Sequence, residues 1–269
     1  MYSYTEAFEA AKEYFNGNEM QAGVFLDKYA LKNEKGELLE KTPADMHRRI
    51  AKELYRIEQN YPNPMSYEEI LESLEQFERI IPQGSPMSGI GNTYQVQSLS
   101  NCFIVDADGA DSYGGIFQID ERLAHLMKRR AGVGADLSFL RPAHTPVSNA
   151  ARTSTGAVSF MERYSNSTRE VAQDGRRGAL MLSISIKHPD AEEFIDAKLD
   201  GTKVTGANVS VKMDDEFMRA VKNKTSYTQK YPIDSDEPQY TKTVDAKKIW
   251  DKIIHNAWKK PASHGSRIR

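Results

Sequence analysis

The chain has one cysteine, Cys102, among 269 residues. A single thiol excludes a disulfide framework and fits a reducing, cytoplasmic compartment. No apolar run approaches the length of a membrane span. The opening Met1-Tyr2-Ser3-Tyr4-Thr5-Glu6 lacks the basic and apolar regions of a signal peptide, so no membrane partner is expected. An excess of charge is missing too: 36 Lys and Arg face 38 Asp and Glu, a net charge of −2. Nonspecific duplex binding needs a basic surplus, so no nucleic-acid partner is expected; a local cationic pocket for a nucleotide needs no such surplus. The histidines (His47, His125, His144, His188, His255 and His264) are scattered without ligand spacing, and no metal is assigned. The length suffices for one large or two modest domains with a buried core.

The first 97 residues read as a helical region. Residues 4–14 form a short amphipathic stretch ended by Asn16-Gly17-Asn18. Thr42-Pro43-Ala44-Asp45 offers a cap, a first-turn proline and an early acid for a helix reaching about Asn60, with Met46, Ile50, Leu54 and Ile57 on one face. Pro62-Asn63-Pro64 breaks it. Ser66-Tyr67-Glu68-Glu69 is then a capping box for a helix with Ile70, Leu71, Leu74 and Phe77 inward. These stripes read as packing surface.

From residue 98 strand and helix alternate: strand 102–105, helix 115–129, strand 133–140, helix 156–173, strand 179–186, helix 191–198, strand 208–212, helix 214–221. Such alternation predicts βα units and a largely parallel sheet. A polar connector over 222–243 leads to a last helix, where Ala246, Ile249, Trp250, Ile253, Ile254 and Ala257 share a face. Residues 259–269 have no periodicity and no apolar face. They are expected to be foreign to the fold: an appended scar, a frameshifted end or the junction of a split gene.

Cys102 lies in Ser98-Leu99-Ser100-Asn101-Cys102-Phe103-Ile104-Val105, a strand entered from a hydroxyl-rich loop, which puts the thiol at a strand start within reach of a pocket. Around it stand Pro82-Gln83-Gly84-Ser85-Pro86-Met87, Arg130-Ala131-Gly132-Val133-Gly134-Ala135-Asp136-Leu137 and Ser154-Thr155-Gly156. Phe160-Met161-Glu162-Arg163-Tyr164, Asp174-Gly175-Arg176-Arg177-Gly178-Ala179, His188-Pro189-Asp190 and Gly206-Ala207-Asn208-Val209-Ser210 follow. In this order, over residues 25–258, the blocks resemble the large, catalytic (alpha) subunit of ribonucleotide reductase.

The resemblance implies an α/β fold: an N-terminal helical region (1–97), then roughly the first half of a ten-stranded α/β barrel (98–258), then the tail (259–269). It implies an oxidoreductase of deoxyribonucleotide biosynthesis and DNA replication, replacing the ribose 2′-hydroxyl with hydrogen. A transient cysteine radical abstracts the 3′ hydrogen, and a redox-active cysteine pair supplies reducing equivalents. Cys102 matches the first of that pair. The second redox cysteine, and the Asn-x-Cys-x-Glu loop that would supply the radical cysteine and a carboxylate, are not in this chain. The chain alone is therefore expected to be inactive.

Carried over by resemblance, substrate contacts are Ser85, Asn101, Cys102 and Gly132; many relatives have serine where Asn101 stands. The allosteric deoxynucleoside triphosphate site takes Asp111, Ser112, Tyr113, Lys128 and Arg141. Free amides at a helix start attract phosphate, whereas Asp111 repels it and suits a sugar hydroxyl. Lys128 and Arg141 match phosphate-neutralising positions, and some relatives have a further arginine where Ser148 stands. The specificity loop, with Thr202, Lys203, Val204, Thr205 and Gly206, has the small polar composition of a mobile loop. Asp174-Gly175-Arg176-Arg177-Gly178 reads as a structural ion pair, and His188 as a turn residue.

Implied partners are the ribonucleotide substrate, the deoxynucleoside triphosphate effector, a second alpha copy, a small radical-generating beta subunit and a thioredoxin- or glutaredoxin-type reductant. The motifs favour a radical supplied by that separate metal-containing subunit, with adenosylcobalamin as the alternative. An N-terminal ATP cone has no room, so overall on/off control through it is not expected. Two other functions stay open: a non-catalytic nucleotide-binding or assembly module, and one half of a split enzyme completed in trans. A half-barrel is expected to leave open strand edges and an uncovered apolar face that invite self-association.

Overall fold

Side-chain caps define the helices of the first unit. The computed structural model describes residues 1–106, 108, 110–171, 178–259 and 267–268, and divides the chain into Met1–Asn101 and Cys102–Arg269. Helix α1 (Tyr4–Tyr14) starts where the Ser3 hydroxyl accepts from the Glu6 amide, and α3 (Pro43–Glu58) where Asp45 accepts from the Thr42 amide. The Ser66–Glu69 capping box opens α4 (Tyr67–Leu74) as expected. Met46, Ile50, Ile70 and Leu74 meet Phe25 and Leu26 in the core of this unit.

Two elements of this unit carry no sequence expectation, and one expectation needs correction. Helix α2 (Glu19–Lys28) follows the Asn16-Gly17-Asn18 break directly, because the Asn18 side chain accepts from the Gln21 amide and caps it. The Pro-Gln-Gly-Ser-Pro-Met segment contains the short helix α5 (Gly84–Gly89). The α3 stripe is core only in its first half, since Leu54 and Ile57 are 39 % and 42 % exposed.

The second unit is an α/β layer. Strands β1 (Cys102–Val105), β2 (Gly132–Asp136), β3 (Ala179–Ser185), β4 (Ala207–Lys212) and β7 (Arg267–Ile268) form one parallel sheet in the order β1-β2-β3-β4-β7. Helices α6 (Tyr113–Met127), α7 (Ser159–Glu170), α8 (Ala191–Asp196), α9 (Asp215–Asn223) and α10 (Ala246–Lys259) connect or follow the strands. Ile116, Ile119, Leu123 and Met127 of α6 are buried, as their spacing predicts. The tail contributes its two described residues, which pair with Ser210 and Val211. The Asp174–Arg177 part of the proposed ion-pair segment lies outside the described residues.

The polar connector is corrected: it holds an antiparallel hairpin of β5 (Ser226–Tyr231) and β6 (Tyr240–Asp245). Its buried positions are Tyr227, Gln229 and Tyr231. A glutamine at the central inward position hides the alternation from a hydrophobic count. Its amide is nevertheless engaged, donating to the Ile186 carbonyl at 3.0 Å.

Candidate functional site

Strand alternation gives the sheet two unlike faces. Val105, Val133, Ala135, Leu182, Ile184 and Val209 are buried in the main core of this unit. Register partners share a face, so the opposite one carries Cys102 beside Gly132, then Ala179; Ile104, Gly134, Met181 and Asn208; and Asp136, Ser183 and Ser210. Lys212 pairs with Asp136, which also accepts from the Ser138 hydroxyl at 2.7 Å. The expected uncovered apolar face is thus a face of small and polar residues, with Ile104, 89 % exposed, on the edge strand. Nor does tight packing explain Gly134. A methyl added there would meet only the Phe103 and Met181 carbonyls, at 3.8 and 4.0 Å, in ordinary contact.

The predicted substrate positions fall in pairs, one pair per unit. In the first, the Ser85 amide donates to Asn101 Oδ1 at 2.8 Å, and Asn101 Nδ2 donates to Gln83 Oε1 at 2.6 Å. Ser85 is 2 % exposed, and its hydroxyl is buried without a hydrogen-bond partner among the described residues. A buried hydroxyl left so is costly unless something else satisfies it. In the second unit Cys102 and Gly132 are register partners, with the thiol exposed at the start of β1.

The effector positions converge on an open cavity of about 260 Å³. Asp111, Ser112 and Tyr113 line it where α6 begins, and the Ser112 hydroxyl caps that helix by accepting from the Gly115 amide at 3.2 Å. Arg141 lines it beside Asp111; its Nε donates to Asp111 Oδ2 at 2.6 Å and its amide to Asp111 Oδ1 at 3.2 Å. Ser148, Thr153, Ser154 and Thr155 add hydroxyls, and Phe160 adds an apolar wall. Among the described lining residues Arg141 is the one cation and Asp111 the one anion. Lys128 is not brought to the cavity. It follows the last turn of α6, roughly 24 Å from the helix start at 1.5 Å per residue. Cys102 is not among the cavity's lining residues either.

A layer that the sequence did not reveal supports Arg141. His188, wholly buried, is hydrogen-bonded through Nε2 to the Leu140 carbonyl at 2.7 Å, while its Nδ1 accepts from the Asp190 amide at 3.0 Å. Asp190 accepts from the Ala143 and Ala157 amides. The motif read as a turn therefore grips the chain on both sides of Arg141. Burial pushes the His188 pKa below its ordinary value, so the ring is neutral at neutral pH. Gly156 closes the same corner at φ +81°, where a methyl group would strike Asp190 Oδ2 at 2.6 Å.

Three of the specificity-loop positions, Val204, Thr205 and Gly206, bond to α7, while Thr202 bonds to Asp200. The Val204 amide donates to Glu162 Oε2 at 2.6 Å, the Gly206 amide to Ser165 Oγ at 2.8 Å, and the Arg169 guanidinium to the Thr205 hydroxyl. Val204 is buried at φ +49°, a conformation that a β-branched residue adopts only when its surroundings hold it there. A methyl added to Gly206 would lie 2.4 Å from the Ser165 carbonyl oxygen. Gly206→Ala is expected to destabilise the chain by about 1–3 kcal/mol through overpacking, measured by denaturant unfolding. A variant as stable as the parent would contradict so close a contact.

Comparison with known proteins bears on the two units. The family model described as "Ribonucleotide reductase, barrel domain" matches residues 100–263, and the one described as "Ribonucleotide reductase, all-alpha domain" matches residues 15–91. The chain is 32 % identical over 195 residues to a vitamin B12-dependent ribonucleoside-diphosphate reductase of Thermoplasma acidophilum, covering 72 % of this chain and 24 % of the relative. It is 30 % identical over 206 residues to a protein of the same description from Mycobacterium tuberculosis, covering 74 % and 28 %. The ribonucleoside-diphosphate reductase NrdEB subunit alpha of Bacillus subtilis is 25 % identical over 256 residues, covering 92 % and 23 %. The chain thus spans about a quarter of the length of these relatives. With a helical unit, a parallel α/β unit and both domain models matched, the chain belongs to the ribonucleotide reductase large-subunit family, of which it is an N-terminal portion.

Proposed function

We propose that this chain supplies the effector-binding part and one redox thiol of a ribonucleotide reductase alpha subunit. The observation that carries this is the cavity where consecutive Asp111, Ser112 and Tyr113 and the distant Arg141, 30 residues from Asp111, line one space beside a helix start. A helix start and a guanidinium suit phosphates, and a carboxylate suits a sugar hydroxyl. On this reading Ser85, Asn101, Cys102 and Gly132 contact the substrate, a ribonucleoside diphosphate as in the relatives' names. Thr202 to Gly206 relay effector identity, and Lys128 acts on phosphates only from outside the cavity. The whole subunit works with a second alpha copy and a thioredoxin- or glutaredoxin-type reductant.

Reduction needs two thiols that end as a disulfide while the substrate hydroxyl leaves as water, and this chain holds one. Among the described residues no cluster of three or more His, Cys, Asp or Glu offers a metal site, and no helix is long and apolar enough to cross a membrane. The vitamin B12-dependent names of the relatives at 30 % identity and above favour adenosylcobalamin over a separate beta subunit. The chain alone is expected to form no deoxyribonucleotide; with the rest of the alpha subunit and a radical source added, product forms, and Cys102→Ser abolishes it. Product from the isolated chain, or undiminished product from the serine variant, would overturn this reading.

A further inference from the structure

Tyr231 ends β5, 120 residues from Asp111, yet its hydroxyl lies 3.2 Å from Asp111 Oδ2 and 2.9 Å from the Phe139 carbonyl. A phenol has one proton and can serve only one of these acceptors at a time. Asp111 Oδ2 also takes Arg141 Nε, whereas Oδ1, among the described residues, takes the Arg141 amide alone. Each carboxylate oxygen accepts about two hydrogen bonds. With Tyr231 donating, Oδ2 is therefore full and Oδ1 keeps an open position. We propose that Tyr231 is a positioning residue that fills Asp111 Oδ2 and so presents Oδ1 to the sugar hydroxyl of a deoxynucleoside triphosphate. This rests on the reading of the cavity as a site for that ligand.

The surroundings suit the role. Tyr231 is buried, its ring lies edge-on to His188 at 5.8 Å, and His188 holds Leu140 beside Arg141. Burial first, and the Asp111 charge second, push the phenol pKa above its ordinary value, so the group keeps its proton as a donor. The β5–β6 hairpin is thereby connected to the effector cavity through one hydrogen bond.

The test uses the full chain and three probes: thymidine triphosphate, its 3′-deoxy analogue lacking the sugar hydroxyl, and inorganic tripolyphosphate. The parent is expected to prefer the hydroxyl-bearing nucleotide. Tyr231→Phe should reduce that preference about threefold to tenfold, the worth of one hydrogen bond, with tripolyphosphate affinity unchanged. Asp111→Asn should remove the preference, and adding Tyr231→Phe to it should change nothing more. Preference intact in Tyr231→Phe but lost in Asp111→Asn overturns this proposal alone, as does an equal loss of tripolyphosphate binding in Tyr231→Phe. A parent that binds neither nucleotide saturably, or a preference that survives Asp111→Asn, overturns the cavity reading and this proposal with it. Should Tyr231→Phe not fold, 3-fluorotyrosine placed at position 231 answers instead. Its fluorine resonance should move with thymidine triphosphate and not with the 3′-deoxy analogue; movement with both, or with neither, counts against the role.

Discussion

Replacing Arg141 with alanine should weaken deoxynucleoside triphosphate binding by on the order of 1–3 kcal/mol, about 5- to 150-fold. Two effects act together. The guanidinium available to a phosphate is removed, and Asp111, until then compensated by Arg141 Nε at 2.6 Å, faces the triphosphate as a bare negative charge. Arg141→Lys should recover little of the loss. The arginine fork donates to Asp111 Oδ2 and to the Pro146 carbonyl at once, and an ammonium on a flexible stem cannot reproduce that planar spacing. Calorimetric titration at two salt concentrations checks both claims, since a phosphate contact makes the lost increment larger at low salt. Unchanged affinity would remove Arg141 from the site.

Acid should destabilise the helical unit well before its carboxylates titrate. His47 is wholly buried on α3, edge-on to Phe77 at 4.5 Å, and neither ring nitrogen has a hydrogen-bond partner among the described residues. Burial lowers its pKa from 6.5 to about 4. A histidine with a depressed folded-state pKa is protonated first in the unfolded chain, so its contribution is complete above pH 6.5 and is lost as pH falls toward 4. The loss over that window is about 3 kcal/mol at 1.36 kcal/mol per unit. Glu53 and Glu69 are also shifted downward, by their bonds to Arg56 and Ser66, but their contributions are lost only below 4.5. His47→Leu should flatten the stability profile between pH 6.5 and 4.5. Both tryptophans, Trp250 and Trp258, belong to the second unit, so the measurement needs far-ultraviolet circular dichroism rather than tryptophan fluorescence. An equal acid slope in parent and variant would falsify the assignment to His47.

Much of the second unit was legible because its signals are local. The β-branched run at Cys102–Val105, the apolar spacing of α6 and the face of α10 each determine an element from within a dozen residues. Capping was legible for the same reason: Ser66 and Glu69 are three residues apart and meet on any helix start. What escaped was of two kinds. Helix α2 and strand β5 carry weak local signals, one with a glycine in it and the other with glutamine at an inward position. The exposure of Leu54 and Ile57 depends on which elements cover α3, a matter no helical period contains.

The site divides along the same line. Candidates for it were legible in part: Asp111 and Ser112 announce a helix start, and the resemblance carries Arg141 over. The sequence alone determined an α/β fold behind a helical region, a single cysteine and a candidate set of nucleotide contacts. Only the tertiary structure decided that Arg141 neutralises Asp111, that Lys128 stands a helix length away, and that His188, Asp190 and Tyr231 brace the cavity from segments 47 to 120 residues distant. The Tyr231 bond comes from the separate β5–β6 hairpin and the Asp190 bonds from the turn after β3. A single helix or strand encodes its own period and its caps, but not which distant element will supply the partner.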